Sequence, residues 1–458
     1  MADKHTNFSL RLSWILILYF LLTGSQCTET TITTRVDDAQ KVSADKGNFT
    51  GGLNNGDAWG AALANIGDLE GDGVIDLAVG APGDDDNGDN RGALWVLNMN
   101  GDGTVDVSTK ISENVNGFTG DLDNNDQFGS AVAGIGDLNG DGFQDIAVGA
   151  PLDDDGGDER GALYILFMNG NGTVASSSKI SHQQGGFPGN LDDGEQFGGA
   201  VTSLGDLDND GIQDLAVGAP LTIDNSTRKG AVWILFMNSN GTVKSGRKIG
   251  DGDGNFKDNL SADDRFGSAV AGIGDLDGDG IPDLAVGADE HDAGGSNRGA
   301  VWILFMNRDG TVKNQRRIAA DDGGFEGGLR DGDHFGSAIA RVGDLNEDGI
   351  ADLAVGAELD DDGGTDRGAV WVLFMKTDGK VKDQIKISNL DGKFKEDLDD
   401  GDMFGAALAN LGNLNNDKSD DIAVGAPLDD DDEIDAGAFY ILFMERHEDE
   451  ERVTLFSD

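Results

Sequence analysis

Cysteine is nearly absent from this chain: Cys27 is the single one in 458 residues. A disulfide scaffold and a Cys/His zinc cage are therefore excluded. Basic residues are also scarce, 33 Lys and Arg against 86 Asp and Glu, which leaves a formal net charge of -53. A surface this acidic repels phosphate backbones and argues against a nucleic-acid partner. The five histidines, His5, His182, His291, His334 and His447, fall at unrelated places. No Ser-His-Asp order, nucleophile elbow or phosphate loop stands out, so catalysis finds little footing. After residue 30 there is no sustained helical period and no second long apolar run, so neither helices nor a further membrane span is expected.

The charge and 72 glycines lean towards disorder, yet 38% of residues are hydrophobic and sit in strand-length blocks that can build a core. So many carboxylates repel one another in a compact state unless cations sit among them. At the N-terminus, Lys4 and Arg11 precede an apolar run from Trp14 to Leu22 and small residues up to Cys27. This is the layout of a secretory signal peptide over residues 1–27, with an uncleaved anchor or a lipid on Cys27 as alternatives. Residues 28–458 are then one secreted, extracellular domain. Sequons at Asn48, Asn171, Asn225, Asn240 and Asn259 suit glycosylation on that route, while Asn-Gly-Thr is also good turn chemistry.

The dominant feature is an acidic loop that recurs six times, starting at Asp68, Asp137, Asp206, Asp275, Asp344 and Asn413, each 69 residues after the last. A fixed period of this size means supersecondary units that lean on their neighbours. Within each unit, four short segments rich in Val, Ile, Leu and small residues are broken by Gly, Asp and Asn clusters. Asn169 to Gly172 marks a tight hairpin, because Asn and Gly tolerate positive φ. The chain is thus expected to be all-β, a propeller of four-stranded antiparallel blades, six in number with seven as the alternative. Two segments compete to close the ring: Gln40-Lys-Val-Ser43, which repeats the Lys-Ile-Ser ending of other units, and Arg452 to Ser457.

The loop carries the chemistry. In the fourth unit, Asp275-Leu-Asp277-Gly-Asp279-Gly280-Ile281-Pro-Asp283 places side-chain oxygens at positions 1, 3, 5 and 9, a backbone carbonyl at 7 and a turning Gly at 6. Such an oxygen cage suits Ca2+; Mg2+ demands a smaller, stricter octahedron. The candidate ligands are Asp68, Glu70, Asp72, Val74 and Asp76; Asp137, Asn139, Asp141, Phe143 and Asp145; Asp206, Asp208, Asp210, Ile212 and Asp214. The remaining sets are Asp275, Asp277, Asp279, Ile281 and Asp283; Asp344, Asn346, Asp348, Ile350 and Asp352; and Asn413, Asn415, Asp417, Ser419 and Asp421. It is not an EF-hand, since position 12 of the second loop is Val148 inside a strand, not a bidentate Glu. The sixth loop has Asn413 at position 1 and Lys418 for the turning Gly, so its affinity is expected to be lowest.

Phe-Gly at Phe128, Phe197, Phe266, Phe335 and Phe404, the D-x-D-x-D-G-x-x-D loops, and Gly-Ala-Pro at Gly149, Gly218 and Gly425 resemble the FG-GAP repeats of the integrin alpha-subunit β-propeller, over roughly residues 50–445. The resemblance implies blades with calcium loops on one face. Trp59 replaces the first Phe, and Gly-Ala-Asp289 and Gly-Ala-Glu358 replace Gly-Ala-Pro in the fourth and fifth units. No counterpart of the integrin leg, membrane span or tail follows, so the module is implied and integrin signalling is not.

The Phe of Phe-Gly reads as core between blades, and Trp95, Tyr164, Trp233, Trp302, Trp371 and Tyr440 as blade packing or, alternatively, as sugar-stacking rings. Acidic runs at residues 84–86, 153–155, 360–362 and 429–432 read as solvated loops that a following Arg91, Arg160, Arg298 or Arg367 could pair with. The resulting expectation is a monomeric, non-enzymatic, Ca2+-binding adhesion or interaction module with an extracellular protein, matrix or glycan ligand. The alternatives are a carbohydrate-binding lectin, with exposed aromatics, and a secreted hydrolase or lyase, with a polar cluster that breaks the repeat symmetry.

Overall fold

The computed structural model describes residues 27–86, 88–224, 226–431 and 433–453. The expected leader lies outside the described residues apart from Cys27. Two compact units are distinguished, Arg35–Glu445 and a smaller one made of the two chain ends. Of the ends, residues 27–34 and 446–453 are strand.

Residues 35–445 form six four-stranded antiparallel blades of a β-propeller, with no helix among the described residues. Blade two is representative: Ala131–Gly136, Asp145–Ala150, Ala162–Met168 and Val174–Ser181 pair in chain order. The second strand, Asp-Ile-Ala-Val-Gly-Ala, is buried at every residue because neighbouring blades cover both of its faces. The outermost strand is buried at its ends and exposed or half-buried between them, as a blade edge should be. Its hairpin closes with Asn169 N–H donating to Thr173 O at 2.8 Å, and Gly172 supplies the positive φ of 75°.

The core is not one cluster but six, each shared by two adjacent blades, the last joining blade six to blade one. Phe128, Phe197, Phe266, Phe335 and Phe404 are each 0% exposed within these seams, as is Trp59 in the first. The glycines of the motif have a steric reason. A Cβ on Gly149 would lie 2.0 Å from the carbonyl oxygen of Gly198 in the next blade, so each Gly-Ala glycine is pressed against the following Phe-Gly glycine. The same contact joins Gly425 to Gly60, at 2.1 Å, and closes the ring at six blades rather than seven.

Closure uses the N-terminal strand. The sixth sheet runs Leu408–Gly412, Asp421–Ala426, Ala438–Val453 and Cys27–Val42. The competing segment at Arg452 to Ser457 does not fill this place. Residues 452 and 453 belong to the third strand, which runs straight on because Glu445-Arg446-His447 stands where other blades have the Asn and Gly of a turn. Residues 454–457 lie outside the described residues. The first strands of all six blades surround a central cavity of about 460 Å³, lined at one repeated position by Asn65, Gly134, Ser203, Gly272, Arg341 and Asn410.

Candidate metal loops and a site that breaks the symmetry

Each nine-residue loop links the end of a blade's innermost strand to the start of its second, so all six lie at one end of the strands. The position-1 carboxylate organises the loop. Asp137 accepts N–H bonds from Gly140 and Asp141 on Oδ1, at 2.7 and 3.0 Å, and from Gly142 on Oδ2 at 2.9 Å. Asp68 accepts all three equivalent bonds, and Asp206, Asp275 and Asp344 accept those from positions 5 and 6. Gly142 sits at φ 96°, which explains the turning glycine; Lys418 holds the same conformation at φ 88° in the sixth loop, where a side chain is strained.

The ninth residue is buried in every loop. Asp145 accepts the Leu138 N–H on Oδ2 at 3.0 Å and the Met168 N–H on Oδ1 at 3.1 Å, which ties the loop to the end of the third strand. Asp76, Asp214, Asp283, Asp352 and Asp421 repeat this. Burial, only partly offset by these donors, pushes Asp145, Asp214 and Asp283 up to about 6. It takes Asp76, Asp352 and Asp421 to about 7. A charge disfavoured in this way gains from a nearby cation.

Oxygens also converge. In loops one, three and four, carboxylate oxygens of Asp68, Glu70 and Asp76, of Asp206, Asp208 and Asp210, and of Asp275, Asp277 and Asp279 lie within 4.8 Å of one another. In loops two and six an Asn at position 3 instead donates to the position-5 acid, Asn139 to Asp141 at 2.9 Å and Asn415 to Asp417 at 3.0 Å. The candidate donors are all oxygen, and most are carboxylates, so they fit a hard divalent cation.

One participant escaped the sequence reading. In blades three to five a lysine on the outermost strand reaches the loop: Lys244 Nζ lies 2.9 and 2.6 Å from Asp208 and Asp210, Lys313 2.6 and 2.5 Å from Asp277 and Asp279, and Lys382 2.7 Å from Asp348. Blades one and two carry Asp106 and Ala175 at that position. Hydrogen bonding to Lys244 and Lys313 holds Asp210 and Asp279 below the usual carboxylate range. The fixed step of 69 aligns these three lysines, but it does not place them beside the loop.

The acidic runs are mostly exposed, as expected of solvated loops, but the first Asp of each turns inward. Asp84, Asp153, Asp360 and Asp429 are buried and pair with lysines of the outermost strand, Lys110, Lys179, Lys386 and Lys41, at 2.5 to 2.7 Å. These lysines also lie over the rings of Trp95, Tyr164, Trp371 and Tyr440. The local arginines reach elsewhere: Arg160, Arg298 and Arg367 bond Asp193, Asp331 and Asp400 towards the next blade. The third-strand aromatics are at most 8% exposed, so they pack blades and offer no sugar platform. Asn171 and Asn240 are exposed and their amide oxygens accept from Thr173 and Thr242 at 2.7 Å, which is turn chemistry.

A polar cluster does break the repeat symmetry. Asp289, His334 and Glu358 offer ligand atoms within 4.8 Å of one another, at the end of the strands opposite the acidic loops. The signal was present: both departures from Gly-Ala-Pro are acids, and His334 immediately precedes Phe335.

The loops and blades define a β-propeller with an acidic loop in each blade, built from repeated Phe-Gly and Gly-Ala motifs. The FG-GAP repeat family matches residues 128–166, 197–235, 266–304 and 335–373, which are blades two to five. Integrin alpha-4 of Xenopus laevis is 28% identical over 314 residues, 67% of this chain and 26% of that protein. Integrin alpha-11 of Homo sapiens is 36% identical over 200 residues, 43% of this chain and 15% of that protein. Integrin alpha-3 of Cricetulus griseus is 37% identical over 161 residues, 35% of this chain and 14% of that protein. The chain therefore carries FG-GAP repeats and is an integrin-alpha-like β-propeller; it spans about a seventh to a quarter of the length of these relatives.

Proposed function

We propose that this chain is a secreted, calcium-binding β-propeller that serves as an extracellular adhesion or protein/matrix interaction module. The observation that carries the reading is the loop repeated blade by blade, in which Asp, Glu or Asn at positions 1, 3 and 5, exposed or half-buried, stand before a buried ninth Asp. Calcium would be held by the loop residues named above, with the sixth loop weakest because Asn413 and Lys418 replace an acid and a glycine. Bound there, the ion would supply positive charge that fixes the loops and neutralises one face. The integrin alpha relatives support a ligand-binding role for the module. The buried third-strand rings remove the feature that would favour a lectin.

The test has two arms. Metal counting after equilibrium dialysis in calcium is expected to give about five ions per chain, one for each loop that keeps Asp at position 1 and Gly at position 6; a calcium-free chain would overturn the metal part. Capture of extracellular-matrix proteins on immobilised propeller is expected in calcium and lost in chelator. Equal capture in both, or glycan-array binding alone, would overturn the adhesion part.

A further inference from the structure

We propose that the junction of blades four and five holds a second metal site of a different chemical class, in which Asp289, His334 and Glu358 bind a divalent transition ion of the zinc or cobalt type. The position after Gly-Ala is Pro82, Pro151, Pro220 and Pro427 in four blades, and a carboxylic acid only in the two adjacent blades four and five. The first strand of blade five begins between those two chain segments, and the residue that leads into it is His334. Three departures from the repeat thus meet at one place, with ligand atoms within 4.8 Å of one another.

A separate observation points to a missing partner. Asp289 is 3% exposed, and its Oδ1 is buried without any hydrogen-bond donor. Such an atom is costly to bury if nothing binds it. Its Oδ2 is held by Arg265 Nη1 at 3.3 Å and lies 3.8 Å from His334 Nδ1. Arg265 also bonds Glu290 at 3.1 Å, so one guanidinium faces Asp289, Glu290 and the nearby Glu358.

An imidazole with two carboxylates selects zinc, cobalt, iron or manganese over calcium, which prefers oxygen alone. Arg265 then acts as the outer partner that orients a ligating carboxylate.

The test uses the whole chain in saturating calcium, so that the acidic loops are filled, and titrates Co2+ while recording calorimetry and visible absorption. One Co2+ equivalent with ligand-field bands is expected. His334→Gln copies Gln127 and Gln196 of blades two and three, and Glu358→Pro copies blades one, two, three and six, so both keep a side chain that this fold accepts. Each is expected to weaken Co2+ at least about tenfold with an unchanged melt in calcium, whereas His291→Gln leaves binding intact. No bound equivalent, or binding that survives His334→Gln and Glu358→Pro, overturns the site.

Discussion

Replacing Lys41 by Ala tests how the ring is closed. Its side chain is 5% exposed and its ammonium lies 2.5 Å from both Asp429 and Asp431, in a loop of blade six more than 380 residues away in sequence. Asp431 is 41% exposed and is rehydrated at little cost, so the loss falls on Asp429, which is 4% exposed. An orphaned buried charge costs about 3–5 kcal/mol. Burial already holds the Asp429 carboxyl above its usual range, so proton uptake relieves part of the penalty and places the loss near ~3 kcal/mol. The Tyr440 ring under the ammonium, 5.5 Å away, adds about 0.5–1 kcal/mol. Denaturant unfolding in calcium, followed by tryptophan fluorescence, measures the sum, and adding Asp429→Asn should restore a large part. Lys110→Ala breaks the equivalent pair inside blade one and serves as the control for the local interaction. A Lys41→Ala loss below about 1 kcal/mol, the range of a surface pair, would refute the closing role.

Three further outcomes follow from the same geometry. Gly149→Ala forces a Cβ to 2.0 Å from a neighbouring carbonyl and should destabilise by ~3 kcal/mol. Gly140→Ala meets nothing within 4 Å at φ 79° and should lose only about 1 kcal/mol; equal losses in denaturant titrations would contradict the seam contact. Asp57, Asp126 and Asp402, outside the acidic loops, are raised by burial to about 6, 7 and 7, with nearby acids adding to the rise. The native state then binds more protons than the unfolded chain between about pH 4 and 7, so stability falls as pH rises through that window. In chelator the melting temperature should therefore climb as pH drops from about 7 to 5, and a falling one would contradict the assignment. Lys313→Ala removes an ammonium that any ion in loop four must displace. Calorimetry should show tighter calcium binding to one loop, and unchanged or weaker binding would mean that Lys313 does not compete.

The architecture was legible because one period governs everything: a fixed 69-residue step places Phe-Gly, loop and Gly-Ala at equivalent positions, and only a ring of blades uses all three. The closing strand was ambiguous because Lys41-Val42 and the chain's end both carry strand residues; what decides is the missing turn after Met444. The loops were readable as oxygen donors. Their lysines were not, since a lysine on an outer strand looks like any solvated residue until the strand's proximity to the loop is known. The acidic runs misled for the related reason that Asp84 and its equivalents turn inward to a lysine two strands away, while their neighbours stay in water. His334 was passed over because histidines occupy different repeat positions, yet its meaning lies in the two non-proline neighbours that the fold brings beside it.

The central claim is that these loops fold around calcium. Thermal unfolding of the purified chain in excess calcium, in magnesium and in chelator tests it most directly. The repelling carboxylates of the loops predict a marked drop in melting temperature in chelator, full recovery with calcium and little with magnesium. The same melt in all three would contradict it.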